Sequence, residues 1–419
     1  MRRSCSVFVL LFLVHTPAAA QVAEFALRDG DTVVFLGDSI TAARTYGKII
    51  ENYTLLRFPK RSIRFYNAGW GGDTAAGGLA RLEHDVLVHK PTVVIVAYGF
   101  NDIGWGLKAN DASKRTYLEA VSGIIEKCQK HKTRVYICSA ATQSDDPEKS
   151  EGSFLQKMCD EGMELAKKKG EHGIDVQRTM RDIQKKVVAY SKALKEKDGK
   201  KTTLHAADGV HLNDLGQLVM AYAILKGLAA PAEVSSARID AAGTRVVESS
   251  RCKITQVARK DDRLEFTRLD EGLPFNYGPF YALNYRFVPV PDELNRYRLQ
   301  VEGLGEGRWE VTVDGRGVGT FAAGQLAKGM NLSFSTASAW QPGGPWDAQA
   351  NVLKPLTEAR HELGIASMLA RAYLPASELS GELSPGTKKA DEQLIALQRL
   401  AAQPRPYRFV LRKAEEKKK

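Results

Sequence analysis

The chain has 419 residues, of which 43% are hydrophobic and 26% are charged, and its net charge at pH 7 is +11. This composition is typical of a globular protein, and the length predicts two domains rather than one. No nucleic-acid-binding motif accompanies the basic residues, so a nucleic-acid partner is not expected; the basic runs predict solvated helix faces and a solvated tail, or attraction to an acidic polysaccharide.

The N-terminus carries the pattern of a cleaved signal peptide. Arg2 and Arg3 precede an apolar run over 7–14, and three small residues follow at 18–20. The run is too short to span a bilayer, and no Cys follows it at the position of a lipid anchor. We therefore predict a signal peptide over 1–20, a secreted or periplasmic chain whose net charge falls from +11 to +9 when the two arginines leave, and no membrane insertion after cleavage. An uncleaved anchor is the alternative.

Four cysteines remain beyond the predicted signal peptide: Cys128, Cys138, Cys159 and Cys252. An exported chain permits disulfides, but the spacing leaves their pairing open. The default interpretation is that these cysteines are small buried apolar residues. No CxxC or His-rich spacing is present, so the sequence predicts neither a metal site nor another cofactor.

Residues 31–229 alternate short β-branched runs with stretches of helical periodicity. The predicted strands are 32–36, 63–66, 93–97, 134–138 and 174–176, and the predicted helices include 114–130 and 154–169. This alternation indicates an α/β fold with a parallel sheet covered by helices on both faces. Ligands of such sheets lie beyond the carboxyl ends of the strands, so the residues directly after each strand are the candidates for chemistry.

The pattern changes after Pro231, which predicts a first domain over 21–230 and a C-terminal accessory region over 231–419. That region contains predicted strands at 298–301, 309–313 and 407–411, a turn at Asp314-Gly315, and predicted helices at 346–370 and 389–401. It is therefore expected to be β-rich with helices, and docked rather than tethered, because no long flexible linker precedes it. Its role stays open between a sugar-binding module, a wall of the active-site cleft and structural support.

A serine lies at the exit of the first predicted strand, in Gly37-Asp38-Ser39. Its hydroxyl would be exposed at the carboxyl edge of the sheet, and its amide would lie near a helix start, where N–H groups favour negative charge. The same tripeptide is also typical of an ordinary helix cap.

Loops with further candidates follow the second and third strands. The second strand leads into a glycine-rich loop over 67–74, which permits close approach of the backbone to a ligand, although a plain turn has the same composition. The third leads to Asn101, whose side-chain amide could donate to a developing oxyanion or form a local turn.

Asp208 and His211 form the last candidate pair. On one turn, the carboxylate at this spacing can orient one imidazole nitrogen while the other faces outward as a general base. The loop also ends at a predicted helix cap, Asn213 or Asp214. Each of these signals is modest alone, but they follow successive predicted elements in order.

These four segments resemble the conserved blocks of the SGNH (GDSL-like) hydrolase superfamily over about residues 31–229. The resemblance implies a flavodoxin-like three-layer sandwich and a serine esterase with the catalytic triad Ser39, Asp208 and His211. It further implies an oxyanion hole made by the amides of Ser39 and Gly72 and the side chain of Asn101. Gly71 would replace Gly72 if the loop were shifted.

The aromatic residues Trp70 and Trp105 flank the predicted oxyanion donors and are candidates to bind substrate, or else to pack in the core. An exported enzyme without an apolar lid fits a carbohydrate O-acetyl esterase, whose partner is a polysaccharide or small-molecule ester. An arylesterase, thioesterase or lysophospholipase of the same superfamily is the enzymatic alternative. A non-catalytic carbohydrate-binding surface protein is the alternative from another class. The sequence does not predict an oligomeric state.

Overall fold

The computed structural model describes residues 24–193, 202–338, 340–374 and 378–415. The predicted signal peptide lies outside these residues. The strands of the first half are β1 (Thr32–Gly37), β2 (Arg64–Gly69), β3 (Val93–Ala97), β4 (Arg134–Cys138) and β5 (His172–Ile174). Its helices are α1 (Ser39–Ala42), α2 (Thr45–Arg57), α3 (Ala75–Ala80), α4 (Leu82–Asp85), α5 (Asp111–Lys130), α6 (Pro147–Ser150), α7 (Phe154–Lys168), α8 (Val176–Ala193) and α9 (Asp214–Gly227).

The five strands form one parallel sheet in the order β2-β1-β3-β4-β5. Alternate residues of a strand point to opposite faces, and both faces are covered here, so β1 and β3 are fully or almost fully apolar. Phe35 and Ile95 belong to the core on one face, whereas Val34 and Val96 belong to the core on the other. The structure confirms the predicted three-layer α/β fold, and all five strands end at one edge.

The second half contains two further sheets and a pair of long helices. Its strands are β6 (Glu233–Asp240), β7 (Arg245–Ser250), β8 (Cys252–Lys260), β9 (Arg263–Asp270), β10 (Arg296–Glu302), β11 (Arg308–Val313), β12 (Arg316–Ala322), β13 (Met330–Asn331) and β14 (Tyr407–Lys413). Its helices are α10 (Pro279–Ala282), α11 (Val290–Glu293), α12 (Ala323–Lys328), α13 (Pro345–Tyr373) and α14 (Glu378–Ala401). The sheet orders are β13-β10-β6-β7 and β12-β11-β14-β9-β8, which confirms a β-rich region with helices.

Helix α2 joins the two halves and is buried along nearly its whole length. Arg57 at its end donates to the carbonyls of Glu233 and Leu294, at 2.8 and 2.7 Å. One hydrophobic core runs from Phe35 on the first sheet to Trp309 on the third. A helix that is buried on all sides lies in the interior of a large core, so the two halves share their packing.

Two local features show how side chains set the element boundaries. The strand predicted at 174–176 is displaced: β5 ends at Ile174, and Val176 begins α8. Asp175 is the reason, because its Oδ1 accepts from the Arg178 amide at 3.0 Å and thereby starts the helix. At the predicted turn, Asp314 and Gly315 have φ of 48° and 80°, the left-handed pair that a two-residue hairpin between β11 and β12 requires.

The four cysteines beyond residue 20 are unpaired, and three of them are buried: Cys128, Cys138 and Cys159. Burial raises the pKa of Cys159 to about 12, as expected for an inert apolar-like residue. None of the helices in the described ranges combines the length and the apolar character that crossing a membrane requires.

Candidate active site

Ser39 is the first residue of α1, directly beyond the end of β1. Asp38 caps this helix, since its Oδ1 accepts from the Ile40 amide at 3.0 Å. Gly37 permits the tight turn, because a Cβ there would lie 2.7 Å from the Ala97 carbonyl on β3. The serine hydroxyl is therefore presented at the carboxyl edge of the sheet by a turn in which a side chain at position 37 would clash.

His211 and Asp208 meet Ser39 from the loop before α9. The Ser39 hydroxyl lies 2.9 Å from His211 Nε2, and His211 Nδ1 lies 2.6 Å from Asp208 Oδ2. The other oxygen of Asp208 accepts from the amides of Val210 and His211, both at 2.9 Å. The hydrogen bond from His211 and these two amides lower the pKa of Asp208 to about 2, so the carboxylate is ionised at neutral pH. The arrangement can move a proton from a serine to an oriented imidazole.

The loop is held in shape by the residues around it. Ala206 N–H donates to the His211 carbonyl at 2.7 Å, and Gly209 supplies a φ of 69° at the bend. Asn213 then caps α9, because its Oδ1 accepts from the Gly216 amide at 3.0 Å. Asn213 is one of the two residues predicted to cap this helix, and the cap fixes where the loop ends.

Asn101 is held by hydrogen bonds at both ends of its side-chain amide. Its Nδ2 donates to the Asp73 carbonyl at 2.9 Å, and its Oδ1 accepts from Trp105 Nε1 at 2.8 Å. The indole can only donate, so it fixes which end of the amide is the oxygen. Nδ2 carries two hydrogens, and one remains for a ligand. Gly72 has a φ of 75°, and nothing lies within 4 Å of the position of a Cβ at Gly71 or Gly72, so this backbone is open to a substrate.

The two tryptophans predicted to bind substrate lie at different places. Trp105 is 52% exposed, and its ring centroid lies 6.3 Å from that of His211. Its indole N–H donates to Asn101 Oδ1, and the sequence did not indicate this hydrogen bond. Trp70 is half-buried, and its ring lies 6.0 Å from that of Tyr373 at the end of α13. No local signal could have related Tyr373 to the site, because it lies about three hundred residues away in the chain.

Three carboxylates beneath the site were not singled out from the sequence: Asp38, Asp73 and Asp102. Burial raises the pKa of Asp38 and of Asp102 to about 6. Asp102 Oδ1 accepts from the Ala75 amide at 2.9 Å, while its Oδ2 is buried with no hydrogen-bond partner. Asp73 accepts from Arg81 and Tyr98, each at 2.8 Å. Asp73 and Asp102 thereby connect the segments after β2 and β3, on which Gly72 and Asn101 lie.

The chain is similar to several known proteins. Residues 35–219 match the GDSL-like lipase/acylhydrolase family. A solved gut microbial diltiazem-metabolizing enzyme is 25% identical, with a TM-score of 0.77 over 94% of this chain and 100% of that one. An acetylxylan esterase from Geobacillus stearothermophilus is 18% identical, with a TM-score of 0.39 over 48% of this chain and 96% of its own.

Among curated proteins, an uncharacterized lipoprotein of Bacillus subtilis is 30% identical over 131 residues. These residues make up 30% of this chain and 52% of that protein. The chain therefore spans about half the length of the curated relative that it matches.

Proposed function

Because the chain is an ester hydrolase of the SGNH superfamily, with its GDSL-like lipase/acylhydrolase domain over residues 35–219, we propose that Ser39, His211 and Asp208 are its catalytic triad. We propose further that the enzyme is exported and removes O-acetyl groups from carbohydrate. The observation that carries the triad is the pair of contacts from Ser39 to His211 and from His211 to Asp208, at 2.9 and 2.6 Å.

The reaction follows from these contacts. His211 Nε2 takes the hydroxyl proton of Ser39 while Oγ attacks the ester carbonyl carbon, and the negative charge moves to the carbonyl oxygen. The amides of Ser39 and Gly72 and the free hydrogen of Asn101 Nδ2 receive this charge. The intermediate collapses, the protonated His211 gives its proton to the departing alcohol, and the acyl group remains on Ser39. A water, deprotonated by His211, then attacks the acyl carbon, the bond from this carbon to Ser39 Oγ breaks as the acid leaves, and His211 returns the proton to Oγ.

The acetyl preference is supported by the small space beside the nucleophile. A cavity of about 20 Å³ is bounded by both neighbours of Ser39, Asp38 and Ile40. Its other lining residues are mostly small or apolar: Ala97, Tyr98, Phe100, Ala140, Ala141, Thr142, Gln143, Val210 and Met220. Ser39 itself is not among the residues that line this cavity, but both of its chain neighbours are. The space has room for about one water-sized group, such as a methyl group, and not for an octanoyl chain.

A second candidate function is hydrolysis of a small-molecule ester that is not a carbohydrate. The observation in its favour is the similarity over 94% of the chain to an enzyme described as metabolizing diltiazem. The two candidates share the same triad and differ in the alcohol.

The test is the release of acetate from a panel of acetylated glycans, beside hydrolysis of p-nitrophenyl acetate, butyrate and octanoate. We expect kcat/KM to fall with acyl length and Ser39→Ala to lose all turnover. Ser139→Ala is the matched control, since Ser139 also follows a strand of this sheet and contacts a carboxylate, Asp175 at 3.3 Å. Normal turnover by Ser39→Ala would refute the triad, and kcat/KM that rises with acyl length would refute the acetyl preference. A panel in which only non-carbohydrate acetates react would favour the second candidate.

Export is tested separately, by mass spectrometry of the mature N-terminus from fractionated cells. A chain that starts near residue 21 outside the cytoplasm supports the proposal, and an intact N-terminus in the cytoplasm contradicts it.

A further inference from the structure

A large cleft lies between the glycine-rich loop of the first half and the end of α13 in the second. Its volume is about 970 Å³, within the range of ligand-binding sites in proteins. The first half contributes Trp70, Asp73, Gly77, Arg81, Glu83, His84, Asp85 and Val88. The second half contributes Ser367, Met368, Ala370, Arg371, Ala372, Leu374 and Thr387. We refer to this space as the hairpin cleft, because its second wall belongs to the helical hairpin of α13 and α14.

The hairpin cleft adjoins the candidate oxyanion hole. Trp70 and Asp73 both line it, and they flank the glycine pair that includes Gly72. Trp70 N–H donates to the Gly37 carbonyl at 3.0 Å, which anchors this wall at the end of β1, two residues before Ser39. A substrate whose ester group lies at Ser39 would therefore reach the hairpin cleft with its alcohol part.

The second wall of the cleft, the hairpin of α13 and α14, is held against the first half by buried contacts. Helix α13 packs on α2, where Thr357 Oγ1 lies 2.5 Å from Asn52 Oδ1, and both residues are fully buried. Lys48 on α2 also forms an ion pair with Glu358. Because α2 follows α1 directly in the chain, the hairpin is held by the element next to the nucleophile.

Aromatic and apolar surface in this region is left uncovered by the protein. Tyr373 is 69% exposed although its ring lies 6.0 Å from that of Trp70, and Val88 is 57% exposed. Val88 lines the hairpin cleft, whereas Tyr373 lies between two lining residues, Ala372 and Leu374, and its ring contacts that of Trp70, which also lines it. Exposed apolar groups in or beside a concave site are typical of a surface that a ligand covers.

We propose that the hairpin cleft binds the alcohol part of the ester, and that Trp70 and Tyr373 bind a ring with a flat apolar face. This inference rests on the proposed function, which assigns the acyl group to the separate cavity of about 20 Å³ lined by Asp38 and Ile40. An alcohol that filled the hairpin cleft would be much larger than the acyl group. The C-terminal region thereby determines which alcohols are accepted, and the flat-faced ring is that of a sugar or an aryl group.

The experiment compares three acetates that share the acyl group: ethyl acetate, acetylated xylobiose and 1-naphthyl acetate. Tyr373→Ala should raise KM three- to tenfold for the acetates with rings, the scale of one aromatic contact, and leave kcat/KM for ethyl acetate unchanged. Tyr373→Phe keeps the ring and should behave as the wild type. Leu400→Ala is the matched control, because Leu400 lies on the same hairpin with 70% exposure, and neither it nor its chain neighbours line the cleft, whereas both neighbours of Tyr373 do.

Binding provides a readout that does not depend on turnover. Titration calorimetry of xylobiose and of 1-naphthol with the Ser39→Ala protein should detect binding that Tyr373→Ala weakens by the same three- to tenfold. If neither ring binds, or if Tyr373→Ala binds and hydrolyses as the wild type does, the proposal is wrong, whatever the turnover. If the rings bind but no acetate is hydrolysed, the subsite stands and the proposed function fails. Binding of only one ring identifies the alcohol.

Discussion

Replacement of Arg360 by alanine is expected to lower the free energy of unfolding by about 3–5 kcal/mol. Arg360 on α13 is 4% exposed, and its guanidinium donates to Glu51 and Asp391, each at 2.8 Å, and to the Phe65 carbonyl at 2.6 Å. Glu51 on α2 is 1% exposed. The variant would leave this carboxylate buried without its cation, which is the costly way to break a buried ion pair.

The other partners of Glu51 do not replace the lost charge. His361 Nε2–H donates to it at 2.9 Å and Gln398 Nε2 at 2.8 Å. Burial lowers the pKa of His361, and its buried Nδ1 has no partner, so the ring is neutral. Burial alone would raise the pKa of Glu51, but Arg360 and these hydrogen bonds hold it below its ordinary value. The stabilisation from Glu51 is therefore complete well above about pH 4.3 and is lost as the pH falls below it.

The assay is urea unfolding at pH 7.5 of the wild type, Arg360→Ala, Glu51→Gln and the double variant. The double variant should lose less free energy than the two single variants together, because it has no unpaired buried charge. Arg178→Ala is the control: Arg178 also contacts two carboxylates, but it is 40% exposed, so its loss should cost at most about 1 kcal/mol. A loss below about 1 kcal/mol for Arg360→Ala, or strict additivity, would refute the reasoning.

Asn101→Ala should lower kcat by roughly 10²–10³ with little change in KM. Trp105→Phe, which keeps an aromatic ring but removes the indole N–H that donates to Asn101, should do the same to a smaller degree, and an effect confined to KM would make both residues substrate contacts. Asp102→Asn should stabilise the protein at pH 8 by up to about 3 kcal/mol and leave it unchanged below pH 4. Its raised pKa favours folding only while Asp102 is protonated, an advantage that is complete below about pH 4 and lost as the pH rises through 6. Calorimetry at both pH values checks this, and equal shifts in melting temperature would contradict it.

The parallel sheet could be predicted from the sequence because its signals are local. A fully buried strand such as β3 is apolar throughout, and its observed bounds, Val93–Ala97, equal the predicted ones. The location of the candidate site at the carboxyl edge of the sheet could also be inferred, since parallel strands end at one edge and the candidate residues directly follow them. The β5 error shows the limit of this method: Val176 has strand propensity, but the side chain of Asp175 begins a helix there.

The second half was only partly predictable because its pairing is not local. Strand β14 lies between β9 and β11, so Phe409 pairs with Phe266 across more than a hundred residues. Strands β6 to β9 were not predicted, and β7 is exposed along its whole length, which removes the alternation that marks a half-buried strand. Pairings of this kind depend on packing that forms only after the chain has folded back on itself.

Packing between distant parts of the chain also explains how the C-terminal region can reach a site whose other residues lie far from it in the sequence. Arg360 and Tyr373 lie on one helix and are thirteen residues apart, which is about 20 Å at the usual rise per residue. The buried end of this segment faces Glu51 on α2, whereas its last residue is exposed beside Trp70. A continuous helix is stiff over this length, so the ion pair at Glu51 sets the position of Tyr373 across the cleft. Arg360→Ala, which breaks the ion pair, should therefore raise KM for esters of ring alcohols more than it raises KM for ethyl acetate, because the triad lies entirely on the first half.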